Sequence, residues 1–158
     1  MKTCASVLSD RLLDLFKNKF KLVVEKEKEE YVCGEPIRFD LFFEQPATVV
    51  VIEIEMKREN PLHNVAKTLY WAENSYSKKR VKMVHLFEKS FFEKGNKKLQ
   101  KELAIYIGEI SRKIAKNFEY YSREFKLPKK AIRHPTRYMK EIEEVANRIL
   151  EECFYFLK

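Results

Sequence analysis

Two short runs carry the residues best suited to chemistry. Asp40 stands inside Ile37–Phe43, IRFDLFF, while Glu53, Glu55 and Lys57 alternate at the end of Thr48–Lys57, TVVVIEIEMK. Successive side chains of an extended strand point to opposite faces. Glu53, Glu55 and Lys57 therefore share one face, and Ile52, Ile54 and Met56 the other. Acids beside an apolar core are costly unless they are paired or bind a metal. A short reversal at Pro46, which cannot donate a ladder hydrogen bond, brings Asp40 near the Glu53/Glu55 end of the next strand. Asp40 and Glu55, with Glu53 as a further candidate, then offer oxygen ligands to a hard divalent cation, and Lys57 stands beside them. The competing reading is a solvated strand face of Glu/Lys pairs, which the same alternation fits.

The flanking elements must hold these two strands together. Ser6–Phe20 predicts an amphipathic helix, with Val7, Leu8, Leu12, Leu15 and Phe16 on its apolar side and Ser6 or Ser9 as cap. Phe20–Glu25 predicts a short first strand. The charged run Glu25–Glu30 predicts a solvated turn or hairpin end, with Tyr31–Cys33 resuming a strand before Gly34. Val49–Ile52 suits burial on both faces of a sheet. Arg58–Pro61 ends that strand, and Leu62–Ser77 reads as a helix with Pro61 at its start. Its polar stripe is His63, Lys67, Tyr70 and Asn74. Val81–Phe87 is a candidate central strand, and the intervening helix makes a parallel crossover. Within it, His85 reads as a core histidine bonded to a neighbour. Leu99–Tyr121 predicts a long helix that covers the sheet or contributes to a partner interface, with Phe118, Tyr120 and Tyr121 packed in the core. Phe125–Thr136 reads as an irregular basic loop. Tyr138–Phe156 reads as a final helix whose apolar end, Phe154–Leu157, docks internally or helps form a homodimer.

The 158 residues suit one domain with a substantial core, and 45% hydrophobic and 13% aromatic content argue against disorder. No apolar run is long enough to cross a bilayer, which argues against a membrane partner. Cys4, Cys33 and Cys153 form no zinc-ligand spacing and suit a reduced intracellular protein. The formal net charge is +8, and Arg112–Lys140 alone holds ten basic residues against Glu119 and Glu124. Such a localised excess favours a polyanion such as nucleic acid. Lys126, Lys129, Lys130, Arg133 and Arg137 are the predicted phosphate contacts. No phosphate-cradling glycine loop appears, so the pattern points towards metal-assisted phosphodiester chemistry rather than nucleoside-triphosphate hydrolysis.

Asp40 followed by Glu55-Met56-Lys57, with an apolar run leading into the latter, resembles the PD-(D/E)xK nuclease superfamily. The resemblance covers roughly residues 8–87. Arg38-Phe39 stands where the family often has proline before the first acid. The resemblance implies an α/β, restriction-endonuclease-like fold: a mixed β-sheet with an αβββαβ core at about 8–87 and additional helices at about 97–158, all in one domain. It implies a DNA endonuclease, with Asp40, Glu55 and Lys57 catalytic, using Mg2+ with Mn2+ as a substitute. Related small dimeric enzymes resolve DNA junctions, so the resemblance extends to selectivity for DNA structure and to a homodimer. A cytoplasmic or nucleoid-associated setting, in line with the unpaired cysteines, and an accessory protein are separate expectations. The family places a first-helix acid near the metal, and Asp14 is the equivalent here, with Asp10 the alternative. It also uses the helix after the acid-x-lysine strand near the scissile phosphate, which brings in His63 and Lys67. One branch pairs glutamine with a tyrosine four positions later. Tyr70 is present here, but Ala66 replaces the glutamine. The contrasting expectations are a catalytically inactive nucleic-acid-binding module and a structural or assembly protein.

Overall fold

A computed structural model describes residues 1–57, 60–76 and 78–157. Its elements are α1 (Cys4–Phe20), β1 (Glu25–Val32), β2 (Glu35–Glu44), β3 (Thr48–Glu55), α2 (Pro61–Tyr70), β4 (Arg80–Glu88), α3 (Gly95–Ile114), β5 (Phe118–Phe125), α4 (Lys129–Arg133) and α5 (Met139–Cys153). A π turn, Trp71–Ser75, extends α2, and 3-10 turns follow β4 and α5. The five strands form one mixed sheet in sequence order, antiparallel from β1 to β3 and parallel from β3 to β5. Arg58 and Glu59, expected at the end of the acid-bearing strand, and Ser77, expected at the end of the next helix, lie outside the described residues. Among the described residues no helix is long and apolar enough to cross a membrane.

Two cores sandwich the sheet. Val50, Ile52 and Ile54 join Leu8, Leu12 and Phe16 of α1 and Ile142, Val145 and Ile149 of α5 on one side. Val49 and Val51 join Val65, Trp71, Ala104, Phe118 and Tyr120 on the other. The doubly apolar run of β3 thus feeds both layers, as its composition predicts. Trp71 anchors the second layer, its ring centroid 5.1 Å from that of Phe39 and 4.6 Å from that of Tyr76. The apolar C-terminus docks internally through Phe154, which is fully buried and meets Phe16 edge-on.

Several boundaries correct the sequence expectations. Thr3, rather than Ser6 or Ser9, caps α1, accepting from the Ser6 N–H at 3.2 Å. Residues 21–24 form no strand; the charged run Glu25–Val32 is β1. It can be a strand because it is the sheet edge, alternates exposed and half-buried side chains, and closes on β2 through Cys33-Gly34. Both turn residues have positive φ, 52° and 79°, as a tight hairpin with the right twist requires. Charge on such an edge also discourages pairing with another sheet. The expected long helix to Tyr121 instead ends at Ile114 and gives way to β5. Part of the expected irregular segment is ordered as the end of β5 and the short α4.

The contact between α3 and β5 is unusually close. A Cβ at Gly108 would lie 2.4 Å from the ring of Tyr120. Tyr120 is fully buried and its hydroxyl is held by His85, so the ring has nowhere to go. Gly108→Ala should therefore destabilise the fold by about 1–3 kcal/mol through overpacking, despite alanine's better helix propensity. Thermal melts should show a drop of about 2–10 °C; an unchanged midpoint would contradict the close packing.

Candidate functional site

The described acids converge where β2 leaves β3. The last paired residues are Leu41 and Ile52, and one step further Asp40 stands across from Glu53. Asp40 Oδ2 accepts a hydrogen bond from the Ile54 N–H at 2.7 Å, replacing a ladder partner with a side chain. Glu53 and Glu55 follow on the same face of β3, and both are buried. Burial is what their alternation with Ile52 and Ile54 left open, and it excludes the solvated-face reading.

Each carboxylate has different support. Lys67 Nζ, from α2, lies 3.0 Å from Glu53 Oε1 and donates to the Arg38 carbonyl oxygen at 2.6 Å. Glu55 Oε1 accepts from Asn64 Nδ2 at 2.5 Å and meets His85 Nε2 at 2.6 Å. His85 Nδ1 in turn lies 2.9 Å from the Tyr120 hydroxyl. Burial pushes the His85 ring below its usual range, against the pull of Glu55. Burial also pushes the Tyr120 phenol up. A neutral imidazole then donates from Nε2 to Glu55 and accepts the Tyr120 O–H at Nδ1, satisfying both ring nitrogens and the phenol. Glu55 Oε2 is left buried with no hydrogen-bond partner.

The cluster is overcharged. Asp40, Glu53 and Glu55 face a single ammonium, Lys67, among the described residues. Burial pushes the Asp40 carboxyl up to about 6, and Glu55 adds to the rise, while the Ile54 amide and Lys67 pull against it. Burial also raises Glu53 well above the usual carboxylate range, with Asp40 next in weight and Lys67 opposing. An orphaned carboxylate oxygen and excess negative charge fit a hard divalent cation held by Asp40, Glu53 and Glu55. Among the described residues, however, no three His, Cys, Asp or Glu side chains are disposed as a coordination sphere. All but Glu55 Oε2 of the oxygens named above are engaged instead, by Ile54, Lys67, Asn64 and His85, and Asp40 and Glu53 share a side-chain hydrogen bond.

Lys57 departs from the expectation. β3 ends at Glu55, so strict alternation no longer governs position 57. Lys57 is exposed and makes no ion pair with the acids among the described residues. It lines a cleft of about 610 Å³ with Lys2, Met56, Phe91, Ile132 and Arg133, against the α1/α4 layer. Asp14 is likewise not at the acids: it is exposed on α1, with Arg11 Nη1 3.7 Å away. Asp10 pairs with Lys26 at 2.7 Å and Lys2 at 3.1 Å. His63 is exposed, and its backbone N–H is capped by Asn60. Tyr70 is exposed, its hydroxyl 3.8 Å from Cys33 Sγ. Of the three α2 residues expected near phosphate, only Lys67 reaches the cluster. The basic residues Lys126, Lys129, Lys130, Arg133 and Arg137 are all exposed, and Lys130 and Arg137 lie over the Tyr138 ring.

Sequence reasoning missed Asn64 and Tyr120 and gave His85 only a core role. The signal for Asn64 lay in the phase of α2. Of the apolar side read from the sequence, Leu62, Val65, Ala66, Leu69, Trp71 and Ala72, the structure buries Val65, Trp71 and Ala72, leaves Leu62 and Leu69 half-buried and exposes Ala66, so the buried arc is turned towards Thr68 and Asn64. Asn64 then turns inward and His63 outward.

A raised carboxyl pKa has a defined stability signature. The unfolded chain titrates Asp40 near the ordinary carboxylate value of about 4, the folded chain at about 6. Its stabilising contribution is full below pH about 4 and is lost as pH rises through about 6, up to about 3 kcal/mol in all. Asp40→Asn should remove that loss. Its midpoint relative to the parent chain should be several degrees higher at neutral pH than in mildly acidic buffer, as followed by circular dichroism. An equal effect of the substitution at both pH values would contradict the buried, charge-crowded placement.

No protein-family model matches the chain, and no curated protein matches it significantly, so the meaning of the site rests on its own residues.

Proposed function

We propose that this chain is a metal-dependent nuclease of the PD-(D/E)xK, restriction-endonuclease-like class, hydrolysing DNA phosphodiester bonds. The observation that carries the reading is the convergence of Asp40, Glu53 and Glu55 in an overcharged cluster beside Lys67. The element order helix, three antiparallel strands, helix, parallel strand supports the fold-class part of the proposal. So does location: the acids and the basic cleft at Lys57 and Arg133 both lie near the carboxyl end of β3, on opposite layers. In open α/β sheets that end of the strands is where ligands bind.

Asp40, Glu53 and Glu55 would hold Mg2+ or Mn2+. The bound ion would polarise the phosphoryl group and lower the pKa of water. The chain's own contribution is orientation and charge. Asn64 and His85 fix Glu55 through Oε1 and leave Oε2 unengaged. Lys67 offers its ammonium to negative charge developing on phosphate oxygens. Lys57 and Arg133, on the exposed cleft, hold the backbone of the substrate by charge.

One observation favours a second reading, a nucleic-acid-binding module without cleavage. Lys67 Nζ already lies 3.0 Å from Glu53 Oε1, and the two side chains are only 13% and 5% exposed. A binding module keeps salt-sensitive affinity and shows no metal-dependent product.

A cleavage panel of linear, nicked, flapped and four-way DNA in Mg2+ and Mn2+ separates the two. Asp40→Ala and Glu55→Gln should each lower the rate by about 100-fold or more. Lys67→Ala should lower kcat, whereas Lys57→Ala should mainly raise KM. The same ions should raise the melting midpoint at neutral pH in the parent chain and not in Glu55→Gln. Unchanged cutting by Asp40→Ala and Glu55→Gln would refute the site; no cutting with intact DNA binding would select the binding module.

A further inference from the structure

The face of α3 turned away from the sheet is as apolar as a core. Leu99, Leu103, Tyr106, Ile107, Ile110 and Ile114 are all exposed, from 36% at Leu103 and Ile107 to 76% at Ile114. At 3.6 residues per turn they fall within an arc of about 100° along roughly 22 Å of helix. The sheet-facing residues are Lys101, Ala104, Gly108 and Ser111, centred about 130° away on the same helix. α3 is therefore apolar on a second face that its own fold leaves uncovered. Single exposed hydrophobics need no explanation, but six in one stripe mark an interaction surface.

The stripe is complementary to its own reverse. About a point between Tyr106 and Ile107, Leu99 falls opposite the partner's Ile114, Leu103 opposite the partner's Ile110, and Tyr106 opposite the partner's Ile107. Each side chain meets another large apolar one. Charge follows the same symmetry with an offset of two residues, about 3 Å of rise, which long side chains span. Glu102 and Lys113 lie together on one flank of the stripe, both exposed and without an ion-pair partner among the described residues. A two-fold axis perpendicular to an antiparallel pair keeps equal flanks on the same side. Glu102 then faces the partner's Lys113, and Lys113 the partner's Glu102. In a parallel pairing in register the axis runs along the helices, and Glu102 and Lys113 would lie on the opposite side of the interface from the partner's copies of both, with no such ion pair.

We infer that α3 is the seat of an isologous dimer, in which two copies of this chain pair through antiparallel α3 helices in this register. The inference does not depend on the proposed chemistry. The cluster at Asp40 is on the inner side of the α2/α3 layer, and the stripe is on its outer side.

Sedimentation of the full chain over a wide concentration range tests it. A monomer–dimer equilibrium with a dissociation constant on the order of micromolar is expected. Ile110→Glu, at a position exposed in the monomer, should leave the circular dichroism spectrum unchanged and raise that constant by about 100-fold or more. Glu102→Lys and Lys113→Glu should each weaken the dimer by a few-fold, about the value of an exposed ion pair, and combining them should restore it. A chain monomeric at every concentration, as expected if a different protein covers the stripe, overturns the inference. So does a dimer that survives Ile110→Glu, or charge variants that fail to rescue one another.

Discussion

Negative charge without enough positive charge, held out of water, is the constraint around which this structure is arranged. Three carboxylates lie where β2 and β3 diverge, and only Lys67 answers them directly among the described residues. A buried carboxylate is tolerated when it is hydrogen-bonded or paired, and each neighbour of the cluster supplies part of that need. α2 gives Asn64 and Lys67, β4 gives His85, and β5 gives Tyr120 behind it. Because Tyr120 must stand under His85, the helix above it must carry glycine at 108. The identity of a residue on α3 is thus set by a chain of contacts that begins at Glu55.

The acids were legible as a shared face because charge recurs at every second position of an otherwise apolar strand, but alternation fits a solvated face equally well and only the burial of Glu53 and Glu55 decides between the two. The pairing of Asp40 with that strand followed from the short turn at Pro46. Lys57 was not legible, since alternation predicts a face only while the backbone stays extended, and β3 stops two residues earlier. The helix α2 was legible with most of its buried side, Val65, Trp71 and Ala72, but the apolar Ala66 is exposed and the polar Thr68 is buried, which composition alone does not signal. β5 was read as helix because Phe118, Tyr120 and Tyr121 continue the periodicity of α3. The break falls at Ala115–Asn117, which contains neither glycine nor proline. β1 failed for the opposite reason: its charges argue against a buried strand but not against an edge strand closed by Cys33-Gly34.

The division of charge between the layers has a chemical consequence. Had Lys57 stayed on the acid face, it would have offset more of the cluster's charge and left the outer cleft with one cation fewer. With the strand ending at Glu55, the lysine serves the exposed basic surface. Lys67, arriving from α2, serves the buried acids. Two lysines ten residues apart thereby occupy different environments. One is solvated and suited to long-range attraction of a polyanion. The other is largely enclosed and suited to acting at short range, where a lower dielectric strengthens each charge.

The composition of α3 follows from having to satisfy two surfaces at once. Against β5 it can present only small side chains, with Lys101 reaching past them to Glu124. Large residues on that side would lift the helix off Tyr120 and loosen the support under His85 and Glu55. The apolar bulk in the helix lies on the far side, where nothing among the described residues covers it. Solubility alone would favour polar residues there, since that face does not contribute to the core. Six large side chains in a symmetric order, with Glu102 and Lys113 on one flank, are the pattern expected of a face that meets another apolar surface rather than water.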